Sequence, residues 1–246
     1  MSAIDDERLA TLTDHLGELR DRLIKCAYGV FLASILCWIY REELFTMIAE
    51  PILPYMPGGK LKFTNPTDVF MVFLKIAATG GVILSCPFWL FQVWRFVAPG
   101  LYSKEKRYTA VFIGSGSILF LIGAAFAYFF VLPVGLKALL TMSSSAEAMI
   151  TLPEYMSFFI TMTLVFGAAF ELPLVLVLLG LIGLVDAKFL REKRRYAVVV
   201  LAAISAVVTP PDILSMLMLL VPLMALYEIS ILLVAAIGRK KPDIAN

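Results

Sequence analysis

The sequence predicts an all-α membrane protein. It has six transmembrane helices in one domain over residues 1–246, with both termini cytoplasmic, and forms a concave bundle in which helices five and six are short. Three observations predict it. Hydrophobic residues make up 61% of the chain and charged residues 16%, with a mean hydropathy of +0.89, against roughly 45–50% and about 25% in a soluble domain. The apolar residues come in blocks, and a helix needs ~20 of them to cross ~30 Å of hydrocarbon. Lys and Arg, finally, are concentrated in alternate loops, as membrane topology requires.

The first block, Leu23–Tyr40, follows a segment in which Leu9, Leu12, Leu16, Leu19 and Leu23 recur at spacings of three and four. That is the apolar stripe of a helix running into the span. Glu18 and Arg22 stand one turn apart on a neighbouring face, spaced for an ion pair of about 0.2–0.5 kcal/mol. The same segment carries Asp5, Asp6, Glu7, Asp14 and Asp21. This is the wrong chemistry for a cleavable leader, so the spans themselves are expected to direct insertion.

The second span, Phe70–Trp94, is reached through a loop holding Pro51, Pro54, Pro57 and Pro66 with Gly58-Gly59. Within it Glu43–Leu53 reads as a short amphipathic helix on the membrane face, and the rest as an ordered cap. Val111–Leu132 and Tyr155–Val185 are the third and fourth spans. The fifth, Tyr196–Val208, is short at ~20 Å. Thr209-Pro210-Pro211-Asp212 then turns the chain into the sixth, Ile213–Ile237, and the bilayer is expected to thin around this hairpin. Pro87, Pro133, Pro173 and Pro222 predict kinks or helix ends.

Orientation follows from the cations. Arg8, Arg20, Arg22 and Lys25, then Arg95, Lys104, Lys106 and Arg107, then Lys188, Arg191, Lys193, Arg194 and Arg195, and finally Arg239, Lys240 and Lys241 all fall on one side. Arg41, Lys60, Lys62 and Lys137 fall on the other. The crowded side is cytoplasmic by the positive-inside rule. Lys75 lies within a span and is expected to snorkel outward.

Two carboxylates stand out from this pattern. Glu105 sits among cations just after a run whose Trp94, Phe96 and Tyr102 read as interface anchors; local charge pairing is the plainer reading. Glu171 lies near mid-span, where an ionisable group is costly and faces a bundle interior or wet cavity. Pro173, two residues on, frees a backbone acceptor beside it. A purely structural buried Glu is the alternative. Glu228 is a weaker case, nearer the cytoplasmic end. Cys26, Cys37 and Cys86 lie in apolar runs without CxxC spacing and read as buried, inert thiols. There is no phosphate-binding loop, metal-ligand spacing or nucleophile–base motif, and a net charge of +2 does not argue for nucleic acid. No enzymatic activity, cofactor or metal is expected.

Several segments, taken in order, resemble the TatC family, the multispanning receptor subunits of the twin-arginine protein translocase. They are His15-Leu16-Gly17-Glu18-Leu19-Arg20-Asp21-Arg22, the Pro51 region, Gln92-Val93-Trp94-Arg95-Phe96-Val97-Ala98-Pro99-Gly100-Leu101-Tyr102 with Glu105, Phe170-Glu171-Leu172-Pro173, and Thr209-Pro210-Pro211-Asp212. The resemblance covers nearly the whole chain. It implies a protein of the bacterial cytoplasmic (inner) membrane that binds signal peptides bearing an Arg-Arg pair. With single-span TatA- and TatB-type subunits, it would export folded proteins using the proton motive force, within a complex holding further copies of itself. It also implies that Glu18 and Glu105 bind the peptide arginines, with Arg20 and Phe96 in the same site. Glu171 would meet polar groups of partner helices or inserted peptide, and Pro51, Pro99 and Asp212 would shape loops. A guanidinium pairs bidentately with a carboxylate, and Lys cannot reproduce that fork. The competing reading is a small proton-coupled transporter relaying through Glu171, but the paired repeats common in such carriers are not seen.

Overall fold

The computed structural model describes residues 3–56, 61–97, 109–141, 150–209 and 213–238. Helices carry almost all of them, with no strand among the described residues and one isolated parallel bridge between Lys62 and Thr151. Five segments are long and apolar enough to cross a membrane: Leu16–Ile39, Pro66–Leu84, Thr109–Ala138, Leu152–Leu181 and Ser215–Ala236. The predicted fifth span, Tyr196–Val208, falls in a helix of 15 residues. At about 22 Å it stands below the length of the other five. The sixth, expected to be short as well, is a full-length helix of 26 residues, Ile213–Gly238.

The helices are more broken than the hydropathy blocks. The N-terminal stripe and first span form one helix, α1 (Ala3–Ile39). The cap begins with α2 (Arg41–Ala49) and ends in a 3-10 turn at Leu53–Tyr55, so the amphipathic helix is shorter than the Glu43–Leu53 expected. Phe70–Trp94, read as one span, is two helices: α3 (Pro66–Leu84) and α4 (Cys86–Val97). The break falls at Ser85 because Pro87 cannot continue the hydrogen-bond ladder.

The third span overshoots its predicted end at Leu132. α5 (Thr109–Phe126) passes through a π-turn at Ala127–Val131 into α6 (Leu132–Thr141). Pro133 would otherwise press on the carbonyl of Phe129, and the wider turn accommodates it without ending the helix. The fourth is α7 (Leu152–Phe170) and α8 (Leu172–Leu181), parted at Glu171. Gly183 turns the chain at φ +80, a region glycine enters without strain. Asp186 then accepts from Phe189 N at 2.6 Å to start α9 (Ala187–Glu192). The hairpin is α10 (Arg194–Val208) and α11 (Ile213–Gly238), with Pro222 inside the latter.

Helix α1 packs on α3 and α4, α4 on α5, α5 on α7, α3 on α7, and α8 and α10 on α11. Lipid tails are as apolar as leucine, so such contacts depend on close approach at small residues. A Cβ added to Gly81 of α3 would run into Ser34 and lie 2.9 Å from the carbonyl oxygen of Val30 on α1. One added to Gly123 of α5 would meet the carbonyl of Phe166 on α7.

The cap is bound into the same core. Ile48, Ile52 and Met56 pack with Val72, Ile76, Met156 and Phe159. Tyr128 donates its hydroxyl to the carbonyl of Met47 at 2.8 Å, and Tyr155 to that of Ile48 at 2.6 Å. These carbonyls end α2 and have no intrahelical donor of their own. Leu152 N donates to Lys62 O at 2.7 Å, joining the far end of the cap segment to the start of α7.

The Gly81 contact yields a stability prediction. Gly81→Ala lowers the thermal unfolding midpoint of the detergent-solubilised chain, by about 1–3 kcal/mol of overpacking. Gly114→Ala, where an added Cβ meets nothing within 4 Å, leaves it unchanged or slightly raised. Equal midpoints for the two variants would mean that close approach does not hold α1 against α3.

Candidate functional site

The first candidate lies where the N-terminal part of α1 meets the end of α4. Glu18 and Arg22 share one face of α1, and Arg22 Nη2 donates to Glu18 Oε1 at 3.0 Å. Its other terminal nitrogen, Nη1, donates to Gln92 Oε1 on α4 at 3.3 Å. Gln92 is 5% exposed, so the carboxylate and its arginine are tied to a fixed point in the bundle wall. Arg20 points to the exposed side and Phe96 is half-buried at the last turn of α4.

Trp94 corrects an expectation. Expected to anchor at the membrane interface, it is 2% exposed within the protein. Its indole N–H donates to Thr109 Oγ1 at 2.8 Å, and its ring lies 4.2 Å from that of Phe112. The helices on either side of residues 98–108 are thereby clasped to each other. Glu105 and Pro99 fall within that segment and lie outside the described residues, as does Asp212. Pro51 is half-buried between α2 and the 3-10 turn.

The second candidate is Glu171. It forms the joint between α7 and α8, 9% exposed, and its Oε1 has no hydrogen-bond partner among the described residues. The side chain turns toward α5. A Cβ on Gly116 would sit 3.3 Å from Glu171 Oε2, beside Leu90 and Leu174. The Cys86 thiol lies within electrostatic reach of the carboxyl and shares a hydrogen bond with Ser117. Ser117 itself donates to Ile113 O at 2.8 Å. Glu171 is thus set into a small polar recess among α4, α5 and α8.

Among the other polar groups in the spans, Thr163 Oγ1 of α7 is buried without a partner among the described residues, while the charged ones are paired. Lys75, expected to snorkel, reaches across to α7, where Nζ donates to Ser157 Oγ at 3.2 Å. Ser157, Thr161, Met162 and Thr209 line an open groove of about 370 Å³. Glu228 pairs with Arg194 at 2.6 Å across the α10–α11 hairpin; both are half-exposed, so the pair contributes about 0–1 kcal/mol. Cys26, Cys37 and Cys86 are free thiols, the last two buried. Gln92 as the partner of Arg22 was not foreseen. A lone amide in the apolar run around it was the available signal.

Helices of spanning length, one shorter helix paired with the last of them and a buried carboxyl at a helix joint define a multi-pass membrane protein rather than a soluble helical bundle. The profile of the family described as Sec-independent protein translocase protein (TatC) matches residues 14–222. The TatC of Desulforapulum autotrophicum is 39% identical over 238 residues, covering 96% of this chain and 88% of that protein. The TatC of Aquifex aeolicus is 37% identical over 236 residues, 95% of this chain and 98% of its own length. A crystal structure of the twin-arginine translocase receptor TatC superposes with a TM-score of 0.80 at 36% identity, covering 89% of this chain and 97% of that one. The chain belongs to the TatC family of Sec-independent protein translocase proteins, a family of transport components and not of enzymes.

The orphaned oxygen of Glu171 has a measurable consequence. Glu171→Leu, which replaces a buried unpartnered carboxyl by an apolar side chain of similar reach, raises the thermal midpoint of the solubilised chain, by about 1–3 kcal/mol. A group kept at a cost in stability is the signature of a functional position. A midpoint lowered by Glu171→Leu would instead make the carboxyl a structural bond.

Proposed function

We propose that this protein is the signal-peptide receptor of a twin-arginine translocase in the bacterial cytoplasmic membrane. It binds peptides with an Arg-Arg pair on its cytoplasmic face. With TatA- and TatB-type single-span subunits, and further copies of itself, it passes folded proteins across the membrane at the expense of the proton motive force. Membership of the TatC family carries this reading. The Glu18 carboxylate, held near the end of the bundle wall on the cation-rich side, supports it. α10 completes six spans as a short fifth crossing in a locally thinned bilayer, with both termini inside. No observation favours the proton-coupled carrier, and the relatives are translocase proteins.

In this reading Glu18 and Glu105 each receive a peptide guanidinium, with Arg20 and Phe96 beside them. The apolar part of the peptide lies along the bundle wall. Glu171 offers a polar contact within the membrane to an arriving helix, while Pro51, Pro99 and Asp212 hold the loops that frame these sites.

Two outcomes test it. Glu18→Gln and Glu105→Gln each weaken binding of an Arg-Arg signal peptide about ten- to a hundredfold, since a charge-assisted bond contributes ~1.5–3 kcal/mol. Undiminished binding to well-inserted variants would remove these residues from the site. Single cysteines placed along α10 crosslink to TatA- or TatB-type helices more than cysteines along α3 do, because a short span leaves a mismatched edge that a partner can cover. Equal or reversed crosslinking would sink the docking role of that hairpin.

A further inference from the structure

We propose that Arg22 is a built-in competitor of the signal peptide. In the unliganded chain its guanidinium occupies the Glu18 carboxylate, and Gln92 is the second anchor that receives it when a peptide arginine takes its place. The proposal rests on the reading that Glu18 binds peptide arginines, and it assigns Arg22 and Gln92 a role in how selective that binding is.

The geometry carries three points. Arg22 offers Glu18 the same group that the peptide would offer, and the contact already exists at 3.0 Å. The guanidinium fork is divided, with Nη2 to Glu18 and Nη1 to Gln92. An incoming arginine free to place both arms on the carboxylate forms the stronger fork–fork pair. The exposures also differ: the Glu18 side chain is 34% exposed and the Arg22 side chain only 14%. The carboxylate is open to approach while its present partner lies behind it. On displacement Arg22 retains the Gln92 oxygen, so it is not left as an unpaired, half-buried charge. An arginine donates only, so it is the amide oxygen of Gln92 that must face it.

Competition of this kind selects. A peptide lysine is a point charge without a fork and gains no second bond that would repay the displacement of Arg22. Discrimination against lysine then comes from an opposing contact as well as from the attractive one.

The test uses the full chain in detergent or lipid nanodiscs. The probes are a fluorescent synthetic peptide with an Arg-Arg pair ahead of an apolar segment, and its Lys-Lys counterpart. Arg22→Gln is expected to bind the Arg-Arg peptide about two- to fivefold tighter. The Lys-Lys peptide gains more, so the ratio between the two narrows. Gln92→Leu added to Arg22→Gln changes nothing further, because its partner is already gone. Arg22→Lys, which keeps the charge and loses the fork, shifts affinity the same way by less and serves if Arg22→Gln does not fold. If Arg22→Gln binds both peptides as the parent does, or more weakly, while Glu18→Gln still loses binding, the competitor role is overturned and the Glu18 site stands. If Glu18→Gln binds as the parent does, both fall together.

Discussion

Within a bilayer the backbone of a spanning segment has no water to bond, so each helix must satisfy its own N–H and C=O groups or place the exceptions inside protein. The rest of this structure follows from that constraint. The departures from regular helix within the spans are few, and each is set by a named residue: Ser85 before Pro87, the π-turn before Pro133, and Glu171 before Pro173. Two of these breaks lie beside side chains of interest. The joint at Glu171 places a carboxyl where the ladder is already interrupted. The joint at Ser85 starts α4, on which Gln92 meets α1 and Trp94 meets α5.

With backbone groups satisfied inside each helix, what holds the helices together is fit. Gly81 and Gly123 let neighbouring backbones approach, and Gly29 leaves room for the ring of Phe88. The cap works by another means. Two tyrosine hydroxyls, from the π-turn and the start of α7, bind the last carbonyls of α2. The π-turn therefore accommodates Pro133 and also supplies one of the two hydroxyls that moor the cap.

Much of the fold was legible in the sequence because hydrophobic length is a strong signal. The long apolar blocks correspond to helices, and the short block at Tyr196–Val208 is a short helix. Joints were less legible. Proline marked where a helix is in difficulty but not how the chain responds, so Pro133 bends nothing to an end while Pro87 parts α3 from α4. The motif containing Glu18 announced an acidic face on α1. It did not show that Arg22 divides its fork between Glu18 and a glutamine seventy positions away, because pairing between distant helices leaves no local periodicity. Trp94 was misread for the same reason. Aromatic residues at a span end favour the interface, and this one is buried by Phe112 and Thr109 of α5 together with Leu178 of α8.

The two candidate sites share one element, and its periodicity explains how. On α4, Phe88 and Gln92 are one turn apart and face α1, the ring of Phe88 filling the space over Gly29 and Gln92 holding Arg22. Cys86, Leu90 and Trp94 form a second row at the same spacing and face α5, where Leu90 and Cys86 border the Glu171 recess and Trp94 clasps Thr109. Residues four apart stack on one face of a helix, so twelve residues suffice to present one row to each neighbour. The Glu18–Arg22 pair of α1 and the buried carboxyl of the α7–α8 joint are thereby built against opposite faces of the same short helix.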